Sequence, residues 1–276
     1  AAGGVIRVVN GCQVKDGFLT KVELPQKALP LVQTVEYLRA FLFGRMGWEP
    51  LGAVLIVSGA FGVFRRTTLI EVGGYNPQAV GEDMELVVRI HRFMKQQRRR
   101  YHIGFIPDPV CWTDAPETLK DLGSQRSRWH HGLGQALMLN RWLMLNPRGG
   151  TVSWLAIPFY VLFELLGPVI EALGFVFFLT GAALGAIAWT DAAAFLVLAL
   201  SLGMLQSVCA IMLEEFSFPM YRKPRELALL YAAALLENFG YRQLTVWWRL
   251  KGLFRWLTGR RHRWETITRS ASVGTG

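Results

Sequence analysis

Residues 192–213 carry no charged side chain. A helix needs about 20 apolar residues to cross the hydrocarbon core of a bilayer, where the backbone must satisfy its own hydrogen bonds. This run therefore predicts a membrane-spanning helix. The preceding stretch, 154–187, is long and mostly apolar but contains Pro158, Glu164, Pro168 and Glu171. It is too long for one straight span and too short for two. We read it as an interfacial lead-in to about Glu164, followed by a span over about 166–186. Glu171 is costly at that depth and is expected to face protein or a polar cavity. Residues 214–225 read as a polar loop. Residues 227–248 are ambiguous, apolar at first and then interrupted by Glu237, Asn238 and Arg242. If they crossed, the basic tail 251–276 would lie outside, against the excess of Lys and Arg that cytoplasmic segments carry. Two spans plus an in-plane amphipathic segment are favoured.

The apolar residues concentrate after residue 150, and the mean hydropathy is +0.27. A membrane protein with a more polar first half is implied. The net charge of +10 then has an ordinary explanation in cytoplasmic segments. Nucleic-acid binding is the other use of such charge, and none of its usual motifs is present. Cys12, Cys111 and Cys209 lie too far apart for a zinc site and are odd in number for a disulfide framework. The sequence opens on a strand-like run without an initiating Met, and is read as a piece that lacks a front half.

Strands and helices alternate in the first half, which predicts an α/β layer. Residues 5–9 and 102–106 read as short strands, the second stopped by Pro107-Asp108-Pro109. Residues 53–57 read as a buried strand bounded by glycine. Residues 31–46 have helical spacing. So do residues 86–94, with His91, Arg92 and Lys95 on the polar side. A short helix over 64–72 should end at Gly73-Gly74.

Three stretches carry candidate chemistry. In Ser58-Gly59-Ala60 small residues let a ligand approach the backbone, though a tight turn alone would use them too. Asp83, after Glu82, reads either as a cap near a helix N-terminus or as a general base at a cleft mouth, with Glu82 free to cap in its place. Asp114-Ala115-Pro116-Glu117 looks like a helix start with a capping box, which carries a helix through Gln125-Arg126-Ser127-Arg128-Trp129. Gln125, Arg128 and Trp129 then share one face. A guanidinium grips a diphosphate, and an indole offers a plane to a sugar ring.

In this order, and followed by apolar helices, these motifs resemble the C-terminal half of a membrane-embedded family 2 glycosyltransferase. That group includes cellulose, hyaluronan, chitin and poly-N-acetylglucosamine synthases. The resemblance implies an α/β fold: a partial GT-A-type catalytic domain with an interfacial helix over 1–150, a membrane-embedded helical region over 151–250, and a basic cytoplasmic tail. It implies Asp83, beside Glu82, as catalytic base, and Arg128 with Gln125 on the leaving nucleoside diphosphate. Trp129 would stack on the acceptor sugar, and Ser58, Gly59 and Ala60 would border it. Trp264 and Arg269 are loosely similar to a gating motif of the processive members. A nucleotide-sugar donor, taken as a UDP-sugar, a saccharide acceptor and the lipid bilayer are the implied partners. The family's Mg2+ or Mn2+ is held by an Asp-x-Asp motif that this sequence lacks, as it lacks the nucleotide-binding front half. The isolated chain is therefore expected to transfer little or no sugar. Two alternatives remain: a non-processive lipid glycosyltransferase, and a non-catalytic membrane scaffold or transport protein.

Overall fold

The computed structural model describes residues 1–221 and 223–260. In chain order it begins with β1 (Ala2–Val8) and a hairpin of β2 (Gln13–Lys15) and β3 (Phe18–Lys21). Asp16 and Gly17, both at positive φ, form the two-residue turn of that hairpin. A helix follows as α1 (Ala28–Tyr37), a wider π-helical turn (Leu38–Phe43) and α2 (Gly44–Trp48), with helical backbone at both joints. Next come β4 (Gly62–Val63), α3 (Arg66–Glu71), α4 (Glu82–Gln96), β5 (Gly104–Thr113) and α5 (Leu119–Leu139).

The sheet is small and mixed, in the order β4-β1-β5. The central strand runs parallel to β5 and antiparallel to β4, and its Val5, Ile6 and Val8 are buried. Contrary to expectation, β5 continues past Pro107 and Pro109. Its register with β1 slips there, from Gly4 opposite Ile106 to Ile6 opposite Cys111, so the prolines sit in a bulge and donate to no ladder. Residues 53–57 are mostly buried as expected, but they form no strand. A side chain takes one of their carbonyls instead: His91 Nε2 donates to Val54 O at 2.9 Å. His91 is accordingly fully buried rather than on a polar face.

The carbonyl forces the proton onto Nε2, so His91 Nδ1 accepts from the Tyr101 hydroxyl at 2.7 Å. Burial is the main cause that lowers the His91 pKa to about 4. The histidine is thus neutral when folded and, once unfolded, titrates near pH 6.5. Its stabilisation is complete above about pH 6.5 and is lost as pH falls towards 4, at up to roughly 1.4 kcal/mol per pH unit. We expect the melting temperature to drop across that window. His91→Gln should start lower and show a shallower slope, and an unchanged slope would contradict this account.

After α5 the chain makes two π-helical turns (Val152–Ala156 and Tyr160–Leu165) around the short α6 (Ile157–Phe159). Pro158 has no N–H to donate, and the wider turns accommodate it. Then come α7 (Gly167–Ala183), α8 (Trp189–Ser217), α9 (Pro224–Leu236) and α10 (Tyr241–Leu257). Among the described residues α8 alone is long and apolar enough to cross a bilayer. The expected span over 166–186 meets that test only when α7 is joined to residues 152–165, across a 44° bend. Pro168, in the first turn of α7, stands at the bend.

Three further expectations change. The ambiguous segment is two helices parted at Gly240, whose φ is +89°. The first part of the basic tail belongs to α10. Glu214 does not lie in a polar loop. It is buried on the last turn of α8, 2.5 Å from the buried Arg7 of β1, because neither charge is tolerable in the interior without the other. Glu171 does meet protein, accepting from Arg242 Nε at 3.0 Å.

Candidate functional site

Asp83 sits in the first turn of α4, after Gly81 and beside Glu82 and Glu85, where acidic groups suit the helix dipole. One carboxylate oxygen accepts from Met84 N at 2.8 Å. The other accepts from Gly59 N at 2.9 Å. The Ser58-Gly59-Ala60 turn is therefore tied directly to Asp83. Phe61 N donates to Ser58 O at 3.0 Å and closes the turn. Gly59 and Ala60 are exposed, and Ser58 and Asp83 are half-buried. Burial, then the charges of Asp83 and Glu82, push the Tyr75 hydroxyl up, which marks it as a neighbour of both carboxylates.

The segment entering α4 is held from α5. Gln135 Oε1 accepts from Val80 N at 2.8 Å, and its amide nitrogen donates to Gln78 O at 3.1 Å. The two backbones touch at Gly81 and Gly132. A Cβ on Gly132 would stand 2.8 Å from Gly81 Cα and N. Only glycine permits this approach, and it carries Asp83 to the flank of the helix that bears Trp129.

That helix does not begin as expected. Its cap is Thr118, whose hydroxyl accepts from Asp121 N at 3.1 Å, and not Asp114. Glu117 turns away to Lys27 and Asn10. The same Asn10 exchanges two hydrogen bonds with the Ala115 backbone, so the end of β1 fixes the approach to α5. Long-range contacts thus replace the local capping box.

Within the helix, Gln125 is buried, Arg128 half-buried and Trp129 exposed at 38%. The equal exposure that one shared face suggested is not found. The dominant cation is Arg126, which sequence reasoning passed over. It is 3% exposed and donates to Glu36 at 2.7 Å and to Gln125 at 3.0 Å. Its guanidinium lies 4.3 Å from the Trp129 ring centroid. Tyr241 of α10 donates to the same Glu36 oxygen at 2.5 Å. Burial works against the Arg126 charge, but Glu36, backed by Tyr241 and Tyr37, more than offsets it and shifts the group upward. Arg126 is therefore a permanently paired cation that supports Trp129 from beneath. Nothing in the spacing of the motif separates it from Arg128, since its carboxylate partner Glu36 lies 90 residues away.

On its other side α5 packs against α10. Two Trp residues of this helix are used for that packing. Trp248 lies over Gly123, Trp256 over Gly134, and Gly252 meets the Ser127 carbonyl. Arg249 of α10 donates to Glu164 O and Oε2, and contacts His130, whose Nε2 donates to Leu165 O at 3.1 Å. Trp247 remains exposed.

A second unexpected residue lies within the electrostatic reach of Asp83. Arg45 is 5% exposed, one turn beyond Phe41, and its guanidinium lies 4.6 Å from the Phe41 ring centroid. Burial pulls the Arg45 pKa down, while Tyr160 and then Asp83 oppose the shift. Phe41 in turn meets Trp129, with centroids 6.0 Å apart. Arg45, Phe41 and Trp129 are thus linked in series across α2, the π-helical turn and α5, with Asp83 close enough to act on the Arg45 charge. A cavity of about 420 Å³ is lined by Tyr75, Glu85, Arg89 and Arg92 among others, and Asp83 is not part of its lining. Arg89 is there engaged by Glu85 and by the Val72 and Gly74 carbonyls, so it braces the α3–α4 connection.

Trp264 and Arg269, the gating candidates, lie outside the described residues. Among the described residues no three His, Cys, Asp or Glu side chains group as metal ligands, and the sequence has no Asp-x-Asp. The residues present do not fit the Mg2+ or Mn2+ that the resemblance implies.

Comparison with known proteins agrees with the motifs. Residues 31–208 match the family described as glycosyl transferase family group 2. A poly-beta-1,6-N-acetyl-D-glucosamine synthase of Staphylococcus epidermidis is 28% identical over 117 residues, covering 42% of this chain and 27% of that protein. The synthase of the same name from Staphylococcus aureus strain COL is 33% identical over 109 residues, covering 39% of this chain and 24% of the relative. The chain thus spans about a quarter of the length of the curated relatives it matches. With well over half of its residues inside the family match, which takes in Asp83, Arg126 and Trp129 alike, this chain belongs to the glycosyl transferase group 2 family.

Proposed function

We propose that the chain carries the acceptor side of an inverting glycosyltransferase that moves a sugar from a nucleotide-sugar to a growing polysaccharide at the cytoplasmic membrane face. The observation that supports this most is the 2.9 Å hydrogen bond between Asp83 and Gly59 N, which joins two motifs 24 residues apart at one exposed turn. A scaffold has no need for a carboxylate held there with its helix pinned beside a half-exposed tryptophan.

In this reading Asp83 takes the proton from an acceptor hydroxyl as that oxygen attacks the anomeric carbon. One C–O bond forms to the acceptor while the bond to the nucleoside diphosphate breaks, and the single displacement inverts the configuration. Trp129, steadied by Arg126, presents its ring to the acceptor sugar. Arg128, with Gln125, meets the negative charge that develops on the leaving diphosphate, a task for preorganised donors. The GT-A-type character of the α/β layer, its division from a membrane region near residue 150, and two spans are part of the same proposal. The name of the relatives makes a UDP-linked N-acetylhexosamine the first donor to try.

The test is transfer of radiolabelled sugar from a panel of UDP-sugars, in membranes containing this chain with a nucleotide-binding segment supplied. Label in a high-molecular-weight polymer is expected. Label that extracts into organic solvent would replace the polymer reading with a lipid acceptor. No transfer from any donor by folded protein would overturn the enzymatic reading.

A further inference from the structure

Arg45 has no evident structural employment. It is 5% exposed, and its Nη1 is buried without a hydrogen-bond partner. Among the described residues no carboxylate lies within ion-pair distance of it, whereas Arg7, Arg39, Arg89, Arg99, Arg126, Arg242 and Arg249 each have one. Its guanidinium lies over the face of Phe41, a far weaker compensation than an ion pair. Removing a charge from water without full pairing is expensive, and proteins keep such groups where a ligand completes them. The neighbours of Arg45 narrow the ligand. Its guanidinium lies 4.6 Å from the centroid of Phe41, which meets Trp129, and Tyr160 and Asp83 are close enough to act on its charge.

We propose that Arg45 is an acceptor-binding residue, whose guanidinium donates to an oxygen of the saccharide lying between Trp129 and Asp83. This rests on the glycosyltransferase reading and adds to it a specificity-determining contact. A guanidinium has donors only, so its partner on the sugar is an oxygen, either a hydroxyl or the carbonyl of an N-acetyl group. The flat contact with Phe41 fixes the plane of the fork, so the contact selects the orientation of the terminal sugar as well as its presence. The π-helical turn is the device that places it. Widening the helix between Leu38 and Phe43 changes the face on which the following residues emerge, and Arg45 is the buried one among them.

Two measurements on the purified chain in nanodiscs test this without any donor. The first is calorimetric binding of a β-1,6-linked N-acetylglucosamine hexasaccharide to wild type, Arg45→Met and Arg45→Lys. We expect Arg45→Met to weaken binding at least tenfold and Arg45→Lys to restore part of it. The second is thermal unfolding without saccharide. Met replaces the volume of the buried stem and removes an unpaired charge, so Arg45→Met should melt at or above the wild-type temperature. A structural clamp would give the opposite sign. Wild-type binding that Arg45→Met leaves unchanged would overturn the proposal while the glycosyltransferase reading stands. Absence of wild-type binding would overturn both. A lower melting temperature in Arg45→Met, with Arg45→Lys rescuing stability but not binding, would reassign Arg45 to the fold.

Discussion

Asp83→Asn is expected to lower sugar transfer about a hundred- to ten-thousand-fold, the range over which a positioned general base contributes. The substitution is nearly isosteric, and its structural effect is bounded by the two bonds Asp83 makes. Both partners are backbone N–H groups, on Gly59 and Met84. Asparagine has one acceptor oxygen and an amide that would meet the second N–H unfavourably. The loss is about one hydrogen bond to a charged group, roughly 1.5–3 kcal/mol, together with a few tenths from the helix dipole. Cap and base therefore predict different ratios. A cap loses stability and keeps activity in whatever fraction stays folded. A base loses activity far beyond the folded fraction. The measurement is initial transfer rate per folded molecule, with folding followed by thermal melting in the same membranes. A rate close to that of wild type would leave Asp83 as a cap alone.

The second large effect is steric. A Cβ at Gly252 would stand 2.3 Å from the Ser127 carbonyl oxygen and 3.0 Å from its carbon. Both are backbone atoms in the middle of α5, so no side chain can swing aside, and α10 must move. Gly252→Ala should cost about 1–3 kcal/mol, the usual range for overpacking, and Gly252→Val more. The shift would also pull Trp248 and Trp256 from Gly123 and Gly134, and Tyr241 from Glu36. Arg126 would then lose one of the groups that hold its partner, and Trp129 its support. We therefore expect lower transfer per folded molecule as well as a lower melting temperature. Gly47→Ala is the matched control. Gly47 is helical, and a Cβ added there would meet nothing within 4 Å, so the change should be neutral or stabilise by about 0.5–1 kcal/mol. Equal melting temperatures for Gly252→Ala and wild type would show that α10 tolerates displacement.

The two effects meet in one feature of the fold. Glycines at 81, 132 and 252 bring three helix segments within backbone contact, and the motif residues ride on those segments. Packing rather than spacing thus sets the surroundings of the motif, which is why its residues differ so much in burial.

Much of the chain was legible from local pattern. The uncharged run at 192–213 lies inside α8, and the glycine pair at 73–74 ends α3, with Gly74 N donating to Leu69 O at 2.8 Å. The periodicity of 86–94 belongs to α4, and the Ser58 and Asp83 motifs, read as separate signals, do meet. The Asp16-Gly17 hairpin was equally legible from its turn residues and was overlooked. These features depend on residues within a turn or two of each other, so spacing alone determines them. Other features were settled by partners far along the chain. Arg126 is buried by Glu36, 90 residues away, and Glu36 is shared with Tyr241, 205 residues away. Glu214 left its expected loop for Arg7, and residues 53–57 gave a carbonyl to His91 in place of a strand ladder. Asn10, 105 residues from Ala115, displaced the capping box at Asp114. The energy of burying a charge or an unpaired backbone group depends on what the packed chain brings beside it. Local sequence determined which segments are helical and apolar. Only the tertiary structure decided which arginines are paired and which one is buried without an ion partner.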